Sequence, residues 1–309
     1  MDSGSIPVAD LPGGFDLQST VESGQSYRWH RADGRMYETT GAHGGSAWYY
    51  AVVDGEVIRV RQRDDDAVDG AAAGPDPNRS GVLEWESTTD AEPLLFDLLR
   101  LDDDLDDIVD VTPDDPLLDA AYDAYAGMRL VRDPFFSCLV SFICSAQMRV
   151  RRIYDMQTAL AREYGGTVEF DGDTYHAFPT PDRLASATEA ELRDLSLGYR
   201  APYVHETAEL VASGEMTADD VRGLPYEEAR EALQTFVGVG DKVADCVLLF
   251  SLGYLEAVPL DTWIRTAIEE HYPDCERGSY AETSRAIREA FGGEYAGYAQ
   301  TYVFHYLRN

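Results

Sequence analysis

The strongest constraint on how this chain can fold is a four-residue break, Val237-Gly238-Val239-Gly240, between two segments of helical period. Before it, Pro225 suits the first turn of a helix, and Tyr226, Ala229, Leu233 and Phe236 recur three and four residues apart. After it, a helix from Asp241 runs through Val243, Val247 and Phe250 until Gly253 stops it. Residues 225–253 are therefore predicted to be two helices joined by a tight glycine turn. Free N–H groups at the start of the second helix, with the positive end of its dipole behind them, suit an anion such as phosphate, and Gly238 and Gly240 let another group approach the backbone. A plain helical hairpin with no ligand would carry the same residues.

Lys242, the second residue of that helix, is the only lysine in the sequence; the other basic residues among the 25 Lys+Arg are all arginine. From Lys242 to Leu252 the helix covers about 16 Å, and the return from Tyr254 to Leu260 can span ~23 Å when extended. The chain can therefore bring Asp261 back beside Lys242. Pro259 favours the extended return, and Asp261 is a good N-cap for a helix over 262–270 with Ile264, Ala267 and Ile268 facing inward. An amine and a carboxylate at two converging helix starts can be a salt bridge with a cap. They can also be a nucleophile and its electrostatic partner, a role that an always-protonated arginine could not fill.

The remainder divides into two parts. Residues 47–62 place two β-branched and aromatic runs around Asp54-Gly55, a strong hairpin signal, and Asp33-Gly34 repeats it between Ser26–His30 and Arg35–Thr40. A sheet of three to five antiparallel strands is expected over residues 1–110. Residues 64–80 hold almost no large apolar side chain and read as a loop; Leu101, Leu105 and Ile108 give the next acidic stretch some helical spacing. From 111 to 309 the pattern is helical, and Phe136, Leu139, Val140, Phe142 and Ile143 mark a helix buried on most faces. The fold class is thus α+β: an N-terminal antiparallel sheet packed on an all-helical domain.

With 57 Asp+Glu against 25 Lys+Arg the formal charge is −32, and 44% apolar residues separate the chain from disordered acidic sequences. Such a charge argues against a nucleic-acid partner, unless it reflects a salt-rich cytoplasm where surplus carboxylates keep the surface hydrated. The four cysteines (Cys138, Cys144, Cys246, Cys275) have no CxxC spacing and the six histidines no paired motif, so no metal, iron–sulfur cluster or disulfide framework is expected. No apolar run reaches the ~18 residues of a membrane span and the N-terminus lacks a signal-peptide layout, so a cytoplasmic location is expected.

SGQSYRW (Ser23–Trp29), SFICSAQ (Ser141–Gln147), TYHAFP (Thr174–Pro179), LGYRAPYV (Leu197–Val204), VGVGDKVADC (Val237–Cys246), AVPLD (Ala257–Asp261) and YAGYAQ (Tyr295–Gln300) follow one another along nearly the whole chain. In order and spacing they resemble the 8-oxoguanine DNA glycosylase/lyase branch of the helix-hairpin-helix DNA glycosylases. That resemblance implies a bifunctional enzyme of base excision repair that needs no cofactor and acts as a monomer near the nucleoid on duplex DNA containing an oxidised purine. Lys242 matches the lysine that attacks C1′ and forms a Schiff base, and Asp261 the aspartate that supports the positive sugar. Gly24 matches the glycine whose carbonyl reads the N7 proton of the lesion, Cys246 and Phe304 the walls of the base pocket, and Gln300 the reader of the Watson–Crick edge.

The resemblance further implies that Tyr199, Arg200 and Arg152 fill the gap and hold the opposite base, and that Gly238 and Gly240 grip a phosphate. Two positions depart from the branch: Gln147 replaces an asparagine on the opposite-base side, and Trp263 stands where close relatives carry a histidine near the phosphate. The cluster MRVRR (148–152) reads as duplex-facing. Two other readings remain open at this stage. One is a monofunctional alkylpurine DNA glycosylase, which would use Asp261 and water. The other is a non-catalytic lesion-binding or DNA-binding module.

Overall fold

A computed structural model describes residues 1–38, 42–64 and 77–309. Strands β1 (Asp2–Pro7), β2 (His30–Arg31), β3 (Tyr49–Val53), β4 (Glu56–Arg63) and β5 (Val82–Ser87) form one antiparallel sheet in the order β1–β5–β4–β3–β2. The β3–β4 hairpin turns at Asp54-Gly55, both with positive φ (52° and 83°), the conformation whose twist matches that of flanking strands. Side chains alternate inward along β5, where Leu83, Trp85 and Ser87 are buried.

Three expectations need correction. Asp33-Gly34 makes a turn but not a hairpin: Asp33 Oδ1 accepts the Arg35 N–H at 2.9 Å, and β2 pairs with β3 instead of with the residues that follow. The segment it was to pair with, 35–40, ends outside the described residues, as do 65–76 of the expected loop. The sheet half also contains helices, Leu17–Glu22 and Glu92–Leu98, the first capped by Asp16, whose carboxylate accepts the Ser19 N–H at 2.6 Å. The second half is mostly rather than wholly helical. Strands β6 (Thr167–Phe170) and β7 (Asp173–His176) form a hairpin around Asp171-Gly172, again with positive φ at both. That hairpin lays Phe170 and Tyr175 against Val52 and Val57 of the main sheet, a small satellite core.

The Phe135–Cys144 helix is buried from Ser137 to Cys144, as its all-round apolar pattern requires. Around it pack the helices Ala201–Ser213 and Asp241–Val247, the latter continuing as a widened π turn over Leu248–Leu252 and stopped by Gly253 in the left-handed conformation. One apolar core runs from Phe15, Trp29 and Tyr49 on the sheet side through Leu139 and Ile143 to Val243 and Tyr298. The sheet half and the helical half are therefore fixed against each other, and residues from both can line one site.

Candidate active site

The hairpin forms as its glycines require. The Tyr226–Leu233 helix ends, the chain turns over 234–240, and Gly240, in extended conformation, is the N-cap residue of Asp241–Val247. Gly238 has φ +84°, and a Cβ there would lie 2.6 Å from the Tyr203 ring, so both backbone and neighbour exclude a side chain. A Cβ at Gly240 would meet nothing within 4 Å, which leaves the backbone at the helix start open to a ligand. Val237, at the tip, is 42% exposed.

Lys242 follows at the second position of the helix. Its Nζ donates to Ser145 Oγ at 3.2 Å and lies 5.4 Å from the centre of the Phe142 ring. Asp261 caps Thr262–His271, its Oδ1 accepting the Ile264 N–H at 2.8 Å. Burial raises the Asp261 carboxyl above the usual carboxylate range, opposed by that N–H and by the nearby charge of Lys242. Among the described residues no ion pair joins Lys242 to Asp261, so their coupling runs through space. One turn after Lys242, the Cys246 thiol is buried and pushed up to about 12 by desolvation, against the pull of the Lys242 charge. The thiol is therefore protonated and unreactive.

A buried network fixes the two helix starts relative to each other. Asp245, wholly buried, accepts the hydroxyls of Tyr226 and Tyr280, each at 2.7 Å. The Tyr280 oxygen in turn accepts the Leu260 N–H at 3.0 Å, beside Asp261. The helix that carries Lys242 is thereby tied to the segment that delivers Asp261.

Opposite lies the Ser23–Trp29 segment. Gly24 has φ +96°, and a Cβ on it would sit 2.8 Å from Arg308 Nη1 and 3.6 Å from Phe304 Cε1. Gly24 is buried, yet among the described residues nothing donates to its carbonyl. Phe304 and Gln300 are one turn apart on the Ala296–Arg308 helix; Gln300 is buried and its Oε1 accepts the Thr301 hydroxyl at 3.2 Å. The structure thus brings Gly24 and Phe304 together, and Lys242, Cys246 and Asp261 together. Tyr27, whose hydroxyl is pushed up by burial, lies near Arg308 on one side and near Asp261 and Cys246 on the other, and so joins the two groups.

The third group surrounds Gln147, an exposed residue with φ +55° in the turn after Ser145. Arg200 is only 2% exposed and donates to the Ala146 carbonyl, so it holds this turn from beneath. Its guanidinium also lies 4.3 Å from the centre of the Tyr199 ring, which is 56% exposed. Arg149 and Arg152 are exposed with no ion pair among the described residues, whereas Arg151 pairs with Asp155 at 3.2 Å. Trp263 is 41% exposed on the first turn of the Asp261-capped helix. Ser145, Phe142, Tyr203 and Arg308 were not anticipated. Ser145 lies inside the SFICSAQ segment, but a serine there gives no sign of the amine that reaches it from 97 residues away.

An antiparallel sheet packed on a helical half, with a glycine hairpin presenting an amine beside a second helix start that presents a carboxylate, defines a helix-hairpin-helix DNA glycosylase. Residues 140–292 match the family model of HhH-GPD superfamily base excision DNA repair proteins, and residues 8–139 that of the N-terminal domain of 8-oxoguanine DNA glycosylase. A probable N-glycosylase/DNA lyase of Methanothermobacter thermautotrophicus is 32% identical, over 98% of this chain and 95% of the relative. The apo crystal structure of Clostridium acetobutylicum 8-oxoguanine glycosylase/lyase superposes with a TM-score of 0.80 at 28% identity, covering 99% of this chain and 96% of the other. Its complex with duplex DNA containing cytosine opposite 8-oxoguanine gives 0.78 at 30% identity, over 95% and 92%. The chain belongs to the 8-oxoguanine DNA glycosylase branch of the HhH-GPD superfamily and is a DNA N-glycosylase with lyase activity.

Proposed function

We propose that this enzyme excises 8-oxoguanine from duplex DNA and then cuts the strand through a Schiff base on Lys242. The observation that carries the reading is the setting of the amine: Nζ is held by the Ser145 hydroxyl and the Phe142 ring, near Asp261 but not locked to it. Having given up a proton, Nζ attacks C1′ of the extruded nucleotide; the N-glycosidic bond breaks and the base leaves with its electron pair. Ring opening and loss of the second amine proton give the imine. Removal of a C2′ proton then expels the 3′ phosphate oxygen. Asp261, a carboxylate at this point, stabilises the positive charge that develops on the sugar.

Gly24 supports the substrate assignment, because its carbonyl, to which nothing donates among the described residues, suits the N7 proton that 8-oxoguanine has and guanine lacks. In this reading Phe304 and Cys246 flank the extruded base and Gln300 meets its edge. Extruding that base costs a few kcal/mol of stacking and pairing, which the group around Gln147, Tyr199 and Arg152 offsets on the duplex side. Gly238 and Gly240 present the helix start to a phosphate. A monofunctional enzyme would have no use for the lysine. Borohydride with a lesion duplex should trap a covalent adduct in the native enzyme and none in Lys242→Gln; trapping that survives the substitution would sink the lysine mechanism.

A further inference from the structure

Arg308, on the last turn of the Ala296–Arg308 helix, ties that helix to the Leu17–Glu22 helix. Nη1 donates to the Ser23 carbonyl at 2.5 Å and Nη2 to the Glu22 carbonyl at 3.2 Å, so the guanidinium closes the C-terminal end of the Leu17–Glu22 helix. Nη2 also lies 3.1 Å from His305 Nδ1, and burial together with the Arg308 charge pushes His305 down to about 3. His305 is therefore neutral at physiological pH, and its Nδ1 faces two donors, Arg308 Nη2 and Asn309 Nδ2, the latter 3.2 Å away. The plane of Arg308 stands 5.4 Å from the centre of the Phe304 ring. No carboxylate pairs with Arg308 among the described residues; its donors go to two backbone carbonyls and a neutral imidazole.

These contacts meet at one place. The Ser23 carbonyl belongs to the peptide that ends at the Gly24 nitrogen, so holding its oxygen fixes the plane from which Gly24 continues. The same guanidinium backs Phe304, on the other side of the base pocket, and it is the atom group nearest to the Cβ that Gly24 lacks.

We propose that Arg308 is a positioning residue for base recognition: it sets the distance between the Gly24 carbonyl and the Phe304 ring, and with it the fit of the extruded base. It rests on the proposed 8-oxoguanine reading. It goes beyond that reading by making discrimination depend on a side chain that touches neither the sugar nor the attacking amine. Arginine suits the task because its planar fork serves two carbonyls and an aromatic face at once, which a lysine cannot do.

The test separates base recognition from strand cutting. Arg308→Gln, and independently a chain ending at Leu307, are measured in single turnover on an 8-oxoguanine duplex and on a duplex carrying a preformed abasic site. Both variants should lose at least about tenfold in excision of 8-oxoguanine while β-elimination at the abasic site, which has no base to seat, stays within about twofold. Arg308→Lys should recover part of the excision rate. Equal loss on both duplexes, or no loss on either, overturns the assignment. If the native enzyme releases no 8-oxoguanine, the substrate reading fails instead, and that outcome is visible before any variant is made.

Discussion

The Lys242 amine donates to Ser145 Oγ, 3.2 Å away, and the Ser145 hydroxyl proton is already committed to the Phe142 carbonyl at 2.7 Å. Serine thus offers the amine only lone pairs, at the C-terminal end of a buried helix whose last carbonyls also favour a cation. An ammonium held by a neutral acceptor is placed without the deep electrostatic trap of an ion pair.

Ser145→Ala should therefore leave the amine present but unanchored. A hydrogen bond to a charged group contributes about 1.5–3 kcal/mol, so trapping under single-turnover conditions is expected to slow roughly tenfold or more. Duplex affinity should be unchanged. Rapid-quench measurement of the borohydride adduct decides it; an unchanged trapping rate means that Phe142 and the helix alone position the amine.

Asp261→Asn keeps an N-cap acceptor, since asparagine caps as well as aspartate, and removes the charge. The melting temperature should stay within a few degrees while base release falls on the order of 100-fold. In the native enzyme, burial holds the Asp261 carboxyl above its ordinary range, so the proton returns at a higher pH than for a free carboxylate. Base release should accordingly fall on acidification with an apparent pKa above the ~3.9 reference, and Asp261→Asn should lack that limb.

The two hairpin glycines should behave differently. Gly238→Ala meets a left-handed backbone and the Tyr203 ring at 2.6 Å, so a loss of at least about 1 kcal/mol in stability is expected. Gly240→Ala, extended and with open space around it, should melt like the native protein and yet bind duplex DNA several-fold more weakly, because its methyl group intrudes where a phosphate would sit. Calorimetry and fluorescence anisotropy on the same samples separate the two effects.

How much of this was legible depends on the range of the interaction. The hairpin, the Asp261 cap and the buried Phe135–Cys144 helix follow from local pattern: glycine breaks, a capping carboxylate, all-round apolarity. Ser145, Tyr203 and Arg308 matter because of partners 97, 35 and 285 residues away, and nothing in their own neighbourhoods points to those partners. The β6–β7 hairpin carried a readable Asp171-Gly172 turn, but the helical pattern on either side outweighed four-residue strands, which pack against Val52 of β3 and Val57 of β4 in a small satellite cluster. Arg200 shows where resemblance stops short. Its resemblance to a duplex-facing residue says nothing of its burial, and the structure puts it under the Gln147 turn.

Asp245 predicts a pH effect on stability. Desolvation raises its carboxyl to about 7, against an ordinary value of 3.8, despite two tyrosine donors and Arg230 at 3.8 Å. A folded-state pKa above the unfolded one means that the native protein binds the extra proton, so this contribution is complete below about 3.8 and is lost as pH rises through about 7. Asp245→Asn stays neutral and can still hydrogen-bond both tyrosines. Relative to the native enzyme it should melt higher at pH 8 than at pH 5; an equal difference at both would show that Asp245 does not titrate there.

Finally, the charge of −32 bears on how the enzyme holds DNA. Half of the exposed arginines pair with neighbouring carboxylates among the described residues, as Arg151 does with Asp155, while Arg149 and Arg152 do not. Each phosphate neutralised by a side chain adds about 0.9 to the steepness of log K against log salt, whereas contacts from backbone N–H groups and stacked rings add little. Arg149→Ala and Arg152→Ala should each flatten the slope by about 0.9, and Arg151→Ala should leave it unchanged. The native slope itself should be shallow, because the hairpin backbone, Tyr199 and Trp263 carry no charge to be screened. Anisotropy titrations from low to high salt measure all four proteins, and a steep native slope untouched by Arg149 and Arg152 would place the duplex on another face.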